Sequence, residues 1–133
     1  MAFLHKEGAK ESFVDANEKM TKLGPPVPEL PVADVERAQQ HYIDTLGFQI
    51  AWLEPDKNIG AVVRGNVTIF FRKRPPSFEQ VVHWIFAEEI DATYQELQSS
   101  GANIVDPLEL KPWGIRQFTI KDLDGHLFHI HHG

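Results

Sequence analysis

The chain has 133 residues, no cysteine, 13 Lys and Arg against 19 Asp and Glu, and a formal net charge of −6. These numbers exclude disulfides, thiol nucleophiles and thiolate metal sites, and they argue against nucleic acid as a partner, since nucleic-acid binders carry the opposite balance. Apolar residues make up 42%, enough for a core, but no apolar run approaches the roughly 18 residues of a membrane span.

The first residues, MAFLHKEGAKESF, lack the long apolar stretch of a secretory signal. A cytoplasmic location and no membrane contact are the expectations. The acidic balance attracts a cationic small molecule; solubility alone is the plainer reading. Phe13, Ala16, Met20 and Leu23 recur at helical spacing among charged residues. This predicts an N-terminal helical arm over residues 1–24, ended by Gly24-Pro25-Pro26.

From Val27 the pattern is strand, helix, then three strands. Val27–Val32 reads as a strand. Asp34 is a good N-cap, Val35, Ala38, Tyr42 and Leu46 share one helical face, and Gly47 supplies the stop. Phe48–Leu53, Gly60–Arg64 and Val67–Phe71 read as strands, with Gly65-Asn66 as a tight turn. Arg72–Gln80 is a polar connector.

The pattern then restarts. Val81–Ala87 is a strand, Ile90, Tyr94 and Leu97 form a helical face, and Gly101 ends the helix. Ala102–Val105, Gln117–Lys121 and Leu127–His131 are strands, with Asp122-Leu123-Asp124-Gly125 as a turn. Asp34-Val35 and Leu46-Gly47-Phe48 match Glu89-Ile90 and Ser100-Gly101-Ala102 at offsets of 55 and 54, and Gly65-Asn66-Val67 matches Gly125-His126-Leu127 at 60. An internal repeat of a βαβββ unit explains this. A ferredoxin-like α+β domain with accidental similarity is the alternative. The expected class is α+β: an arm at 1–24, then one domain at 25–133 built from module one (27–71) and module two (81–131). The modules form a curved mixed sheet around a cavity.

Four ordered segments carry a resemblance. VPELPVADVERAQQHYIDTLGF, GAVVRGNVTIFF, HWIFAEEIDATYQEL and PWGIRQFTIKDLDGHLFHI together resemble the glyoxalase, bleomycin-resistance and extradiol-dioxygenase (vicinal oxygen chelate) superfamily. The likeness covers about residues 27–131 and is nearest its bleomycin-resistance branch. The usual Asp-Pro-Asp-Gly is Asp-Leu-Asp-Gly here. The resemblance implies a metal held by four strand positions in the enzymes. Carried onto this chain they fall on Val27, Ile69, Val82 and His129. Three aliphatic residues cannot bind a metal, so no metal cofactor is expected. An improvised divalent-metal site on His129, His131 and Glu29 is the alternative, because alternation puts the two histidines on one strand face. His126 and His132 are expected to be exposed, as are His5 and His41, while His83 faces away from the ligand position.

The resemblance also implies a groove lined by aromatic side chains. Trp52, Phe71, Trp84, Phe86 and Trp113 are the expected ligand contacts, with Gln117, Thr119 and His129 adding polar groups. Phe71 and Phe86 are expected on one cavity face with Ile69 and Trp84, although core filling accounts for them equally well. Indole faces favour planar or cationic groups. The family's usual assembly implies a homodimer, arm- or strand-exchanged, with grooves between subunits. No catalytic constellation is present. The reading is a metal-free protein that sequesters a planar aromatic or cationic compound in a dimer-interface groove. A metal-dependent lyase, isomerase or dioxygenase with a non-standard site at His129 is the alternative.

Overall fold

The computed structural model describes residues 20–133. Most of the expected arm, including Phe13, Ala16 and His5, lies outside the described residues. Met20 and Leu23 do not join a helix: Met20 to Pro28 has no regular structure, and both side chains are exposed.

Module one contains β1 (Glu29–Val32), α1 (Val35–Leu46), β2 (Gln49–Leu53), β3 (Ile59–Arg64) and β4 (Val67–Lys73). Module two contains β5 (Val82–Phe86), α2 (Ile90–Ser99), β6 (Asn103–Leu110), β7 (Arg116–Lys121) and β8 (Leu127–His132). Each module makes a four-stranded mixed sheet, ordered β1-β4-β3-β2 and β5-β8-β7-β6. The two βαβββ units expected from the repeat are therefore present.

Local chemistry sets the elements. The Asp34 carboxylate accepts the Arg37 N–H at 3.1 Å and starts α1. Gly47 ends it at φ 73°, a left-handed conformation that costs glycine least. The helix buries Val35, Ala38, Tyr42 and Leu46 against the sheet. By contrast, Glu89 opens α2 without a side-chain cap bond. β6 runs further than expected, through Pro107 to Leu110, with irregularities between Ile104 and Asp106 and between Asp106 and Glu109. An edge strand tolerates proline because one row of its backbone groups has no partner.

The modules share one core, in which Leu30, Tyr42 and Phe71 cluster with Phe118, Phe128 and Ile130. Polar ties close the joint. Tyr42 Oη donates to Asp122 Oδ2 at 2.6 Å, and Ser100 Oγ donates to the Thr45 carbonyl at 2.6 Å. Arg64 makes a bidentate pair with Glu96 at 2.8 and 2.9 Å.

Strand register corrects the repeat by one residue. Glu29 stands opposite Phe70 in the parallel β1–β4 pair, and Trp84 stands opposite His129 in β5–β8. Since Glu29 matches Trp84, Phe70 is the counterpart of His129, an offset of 59. The offset of 60 holds only at the turn glycines. Module one turns on Gly65-Asn66 alone, whereas module two turns on residues 122–126, so no single offset carries one hairpin onto the other.

Candidate functional site

Each sheet turns one face to the core, and the other side is exposed mainly along its outer strands. In module two, β8 turns Phe128 and Ile130 inward and Leu127, His129 and His131 outward. On the neighbouring β5, Trp84 and Phe86 point to the same open side, 52% and 57% exposed. On β7, Thr119 pairs with His129 and Gln117 with His131, so both side chains lie on that side of the sheet, where they are buried beneath their neighbours.

The open face is connected by specific contacts. The Trp84 and His129 rings lie 4.6 Å apart, and Trp84 also meets His131 edge-on at 5.6 Å. Phe86 stacks on His132 at 5.2 Å. His129 Nδ1 is 2.7 Å from Thr119 Oγ1. Trp113 Nε1 donates to Gln117 Oε1 at 3.0 Å, which fixes an indole still 60% exposed. Trp84, Phe86, Trp113, Gln117, Thr119 and His129 are thus brought together on one side of one sheet. His131 Nδ1 is buried there with no hydrogen-bond partner among the described residues.

Trp52 and Phe71 are placed elsewhere. Trp52 lies on the open face of module one, edge-on to Phe70 at 5.1 Å. Phe71 is fully buried, with its ring 4.9 Å from that of Tyr42. The expected sharing of a cavity face by Ile69, Phe71 and Trp84 is not what the fold builds. The register of β4 turns Ile69 and Phe71 onto the core and gives the open side to Phe70.

The residues do not fit a metal site. With the register corrected, the four positions that the resemblance implies fall on Val27, Phe70, Val82 and His129, and three of these side chains carry no donor atom. Glu29 is engaged by Arg72 at 3.0 Å on module one's sheet; the hydrogen bond to Arg72 lowers its pKa, and the charges of Arg72 and Arg74 add to that. Among the described residues no group of three His, Cys, Asp or Glu side chains is arranged to hold a metal.

Three residues near the face were not singled out by sequence reasoning. Lys111 Nζ sits between Asp106 Oδ2 at 2.8 Å and Glu109 Oε1 at 2.9 Å, its side chain only 8% exposed. Hydrogen bonds to Asp106 and then to Glu109 raise its pKa. The clasp anchors the turn that carries Trp113, where Lys111 N–H donates to the Ile115 carbonyl and Gly114 N–H to the Lys111 carbonyl. The acid-rich stretch before Pro112-Trp113-Gly114 was the available signal.

His126 corrects another expectation. Instead of being exposed in its turn, it is fully buried. Its Nδ1 accepts the Val81 N–H at 3.1 Å, and its Nε2 donates to the Pro31 carbonyl at 2.6 Å. The ring thus bridges β1 of module one to the start of β5, with Phe78 stacked upon it. Nearby His83 has a pKa lowered chiefly by its burial.

Paired βαβββ modules with open sheet faces define the architecture. A model of the Glyoxalase/Bleomycin resistance protein/Dioxygenase superfamily matches residues 23–130. The chain belongs to that superfamily. Among curated proteins none matches. Several solved structures are similar. TioX from Micromonospora sp. ML1 shares 25% identity at a TM-score of 0.68, over 83% of this chain and 96% of that one. The bleomycin-binding protein of bleomycin-producing Streptomyces verticillus, solved with copper(II)-bleomycin, shares 23% at 0.70, over 86% and 99%. The bleomycin resistance determinant encoded on transposon Tn5 shares 20% at 0.72, over 84% and 98%. These last two show likeness of fold alone.

Proposed function

We propose that this chain is a small-molecule-binding protein that sequesters a planar aromatic or cationic compound on the open face of module two. The observation that carries the reading is the exposure of Trp84, Phe86 and Trp113 together, each more than half accessible. Large aromatic side chains left in water on one face are costly to a protein without a use for them, and they mark binding sites. Trp113 is also held by Gln117, so stacking on it loses little side-chain freedom. Beside it two carboxylates share the single ammonium of Lys111, an excess of negative charge that favours a cation. The bleomycin-binding neighbours agree with a role in holding a small molecule. A second copy of the chain completes the groove by covering the open face.

The test is a fluorescence titration with acridine orange, a planar cation. Saturable tryptophan quenching is expected, and Trp113→Ala lowers affinity by about 1–3 kcal/mol, on the order of fivefold to 150-fold. Unchanged affinity in that variant overturns the stacking site. Sedimentation of the free protein tests the dimer. The metal-dependent alternative is checked by elemental analysis of untagged protein: a stoichiometric divalent metal that disappears in His129→Ala replaces the binding reading.

A further inference from the structure

The repeat gives the molecule two equivalent joints, where the last hairpin turn of one module meets the other module. Pairing with β1 and β5 sets the correspondence. Val67 stands three residues before Phe70, as His126 stands three before His129. Glu88 follows Trp84 by four residues, as Ala33 follows Glu29. Leu97 takes the place of Tyr42, each the eighth residue after its helix cap.

One joint is closed. His126 and Tyr42 are buried there, bonded to the Pro31 carbonyl and to Asp122, and Ala33 N–H donates to Asp124 Oδ1 at 3.0 Å. A Cβ added at Gly125 meets Gln80 Cγ at 3.0 Å. The other joint is open. Val67 and Leu97 stand where the imidazole and the phenol would be, and the turn is shorter, Gly65-Asn66 against residues 122–126. A Cβ added at Gly65 meets nothing within 4 Å. What remains between the modules is a cavity of about 420 Å³.

The floor of this cavity is Ile69, Leu97, Ile120 and Phe128, none more than 3% exposed. Protein interiors are close-packed, and an apolar hollow of this size is what a small ligand fills. Arg64, Thr93 and Glu88 stand at the rim. Glu96 pairs with Arg64 through two bonds, and Thr93 Oγ1 donates to the Glu89 carbonyl. The Glu88 carboxylate is exposed and has no ion pair among the described residues. The uncompensated charge at the rim is therefore negative.

We propose that this cavity is a second binding site, taking a primary amine that carries an apolar group. The apolar group lies on the core floor, and the ammonium stays in water beside Glu88. On the scale by which a cavity of about 150 Å³ holds a benzene, this one holds a guest of roughly twice that bulk. Glu88 selects a cation over a carboxylate of equal length. Depth selects a small molecule over a second copy, because the floor lies among core side chains that a folded surface does not reach. The described chain before α1 stays out of it: residues 20–33 contribute no lining, and Pro25–Pro28 line the neighbouring cleft instead. Trp84 and Trp113 are not among its walls, so the site does not rest on the planar-ligand reading above.

The experiment uses the full chain with labelled methyl groups, titrated at pH 7 with octylamine, 1-octanol and octanoate while the methyl resonances are followed. Octylamine is expected to shift the signals of Leu97 and Ile120 and to bind about three- to fivefold more tightly than 1-octanol. Octanoate binds more weakly than either. Glu88→Gln abolishes the preference for the amine and leaves 1-octanol binding in place. Val67→Phe fills the cavity and blocks all three ligands; Thr93→Met does the same from α2 and replaces it if the first variant does not fold. Unshifted Leu97 and Ile120, octanoate as the tightest ligand, or a preference for the amine that survives Glu88→Gln each overturns the proposal. So does undiminished binding in a folded cavity-filling variant. Shifts that appear only after residues 1–19 are removed make the chain's own N-terminus the occupant, and shifts that grow with protein concentration alone make it a second copy; both refute the amine site. Acridine orange that still quenches tryptophan at saturating octylamine shows two separate sites. Displacement of octylamine by the dye, lost in Trp113→Ala, puts the amine on the open face and rejects the cavity while the planar-ligand reading stands.

Discussion

Single residues carry sharply unequal weight in this molecule. His126 satisfies two backbone groups that belong to different modules, Val81 N–H and the Pro31 carbonyl. His126→Ala leaves both unpaired in a buried place and removes the ring that Phe78 stacks on. A loss of about 2–4 kcal/mol is expected in urea unfolding; a loss below about 0.5 kcal/mol refutes the bridging role. Tyr42 is the other buried polar tie. Burial first, then the charge and hydrogen bond of Asp122, raise its pKa well above the ordinary phenol value. The sign follows from linkage. The phenol stays protonated in the folded state while the unfolded chain ionises near pH 10, so stability is full below that pH and falls as pH rises beyond it. Tyr42→Phe is therefore expected to flatten the decline between pH 9 and 11. At pH 7 it costs about 1–3 kcal/mol, because Asp122 Oδ2 loses its donor. An unaltered alkaline slope in the variant rules out Tyr42 as its source.

At the scale of elements, the two helices occupy equivalent places but are started differently. Asp34 caps α1 with a side-chain bond, and Glu89 makes none for α2. Asp34→Ala is expected to lower stability by about 1 kcal/mol, while Glu89→Ala changes it by less than about 0.5 kcal/mol. Thermal or urea unfolding of the pair of variants measures the difference, and equal losses reject the assignment of caps. The contact of α1 with β3 is close. A Cβ at Gly60 meets Gln39 Nε2 at 2.8 Å and Val35 Cγ1 at 2.9 Å. Gln39 is itself fixed, donating to the Trp52 and Ala61 carbonyls at 3.0 and 3.2 Å. Gly60→Ala is thus expected to cost about 1–3 kcal/mol by overpacking. The elements themselves were legible in the sequence, because each rests on local periodicity and on caps within a few residues. The length of β6 was not, since an edge strand accepts Pro107 only for lack of a neighbour.

Across the whole molecule, the modules behave as one body because the core and the polar ties run between them. Tyr42 to Asp122, Arg64 to Glu96 and Ala33 N–H to Asp124 Oδ1 each join one half to the other. Asp124 bears a cost for its place: burial leads in raising its pKa, while its bond from Ala33 N–H opposes the shift. Unfolding is expected to be a single transition. Variants retaining only Trp52 or only Trp84 report on different modules, and their urea midpoints should shift together when Arg64→Ala is added. Separate midpoints contradict the shared core.

The sequence by itself determined the repeat, the order of the elements and the superfamily; of the expected ligand contacts, Trp84, Phe86, Trp113, Gln117 and His129 share one sheet face, while Trp52 and Phe71 lie elsewhere. The repeat, the order and the superfamily follow from alternation along strands and from motifs contiguous in the chain. Only the tertiary structure decided which side of each strand meets the core. Pairing with β1 and β5 puts Phe70, not Ile69, in the place of His129, one residue away from the spacing of the turn glycines. One residue of slip exchanges the two faces of a strand, which sends Phe71 inward and Phe70 outward. Likewise, the burial of His126 and the clasp around Lys111 arise from the approach of separate segments in space, a property that no local pattern encodes.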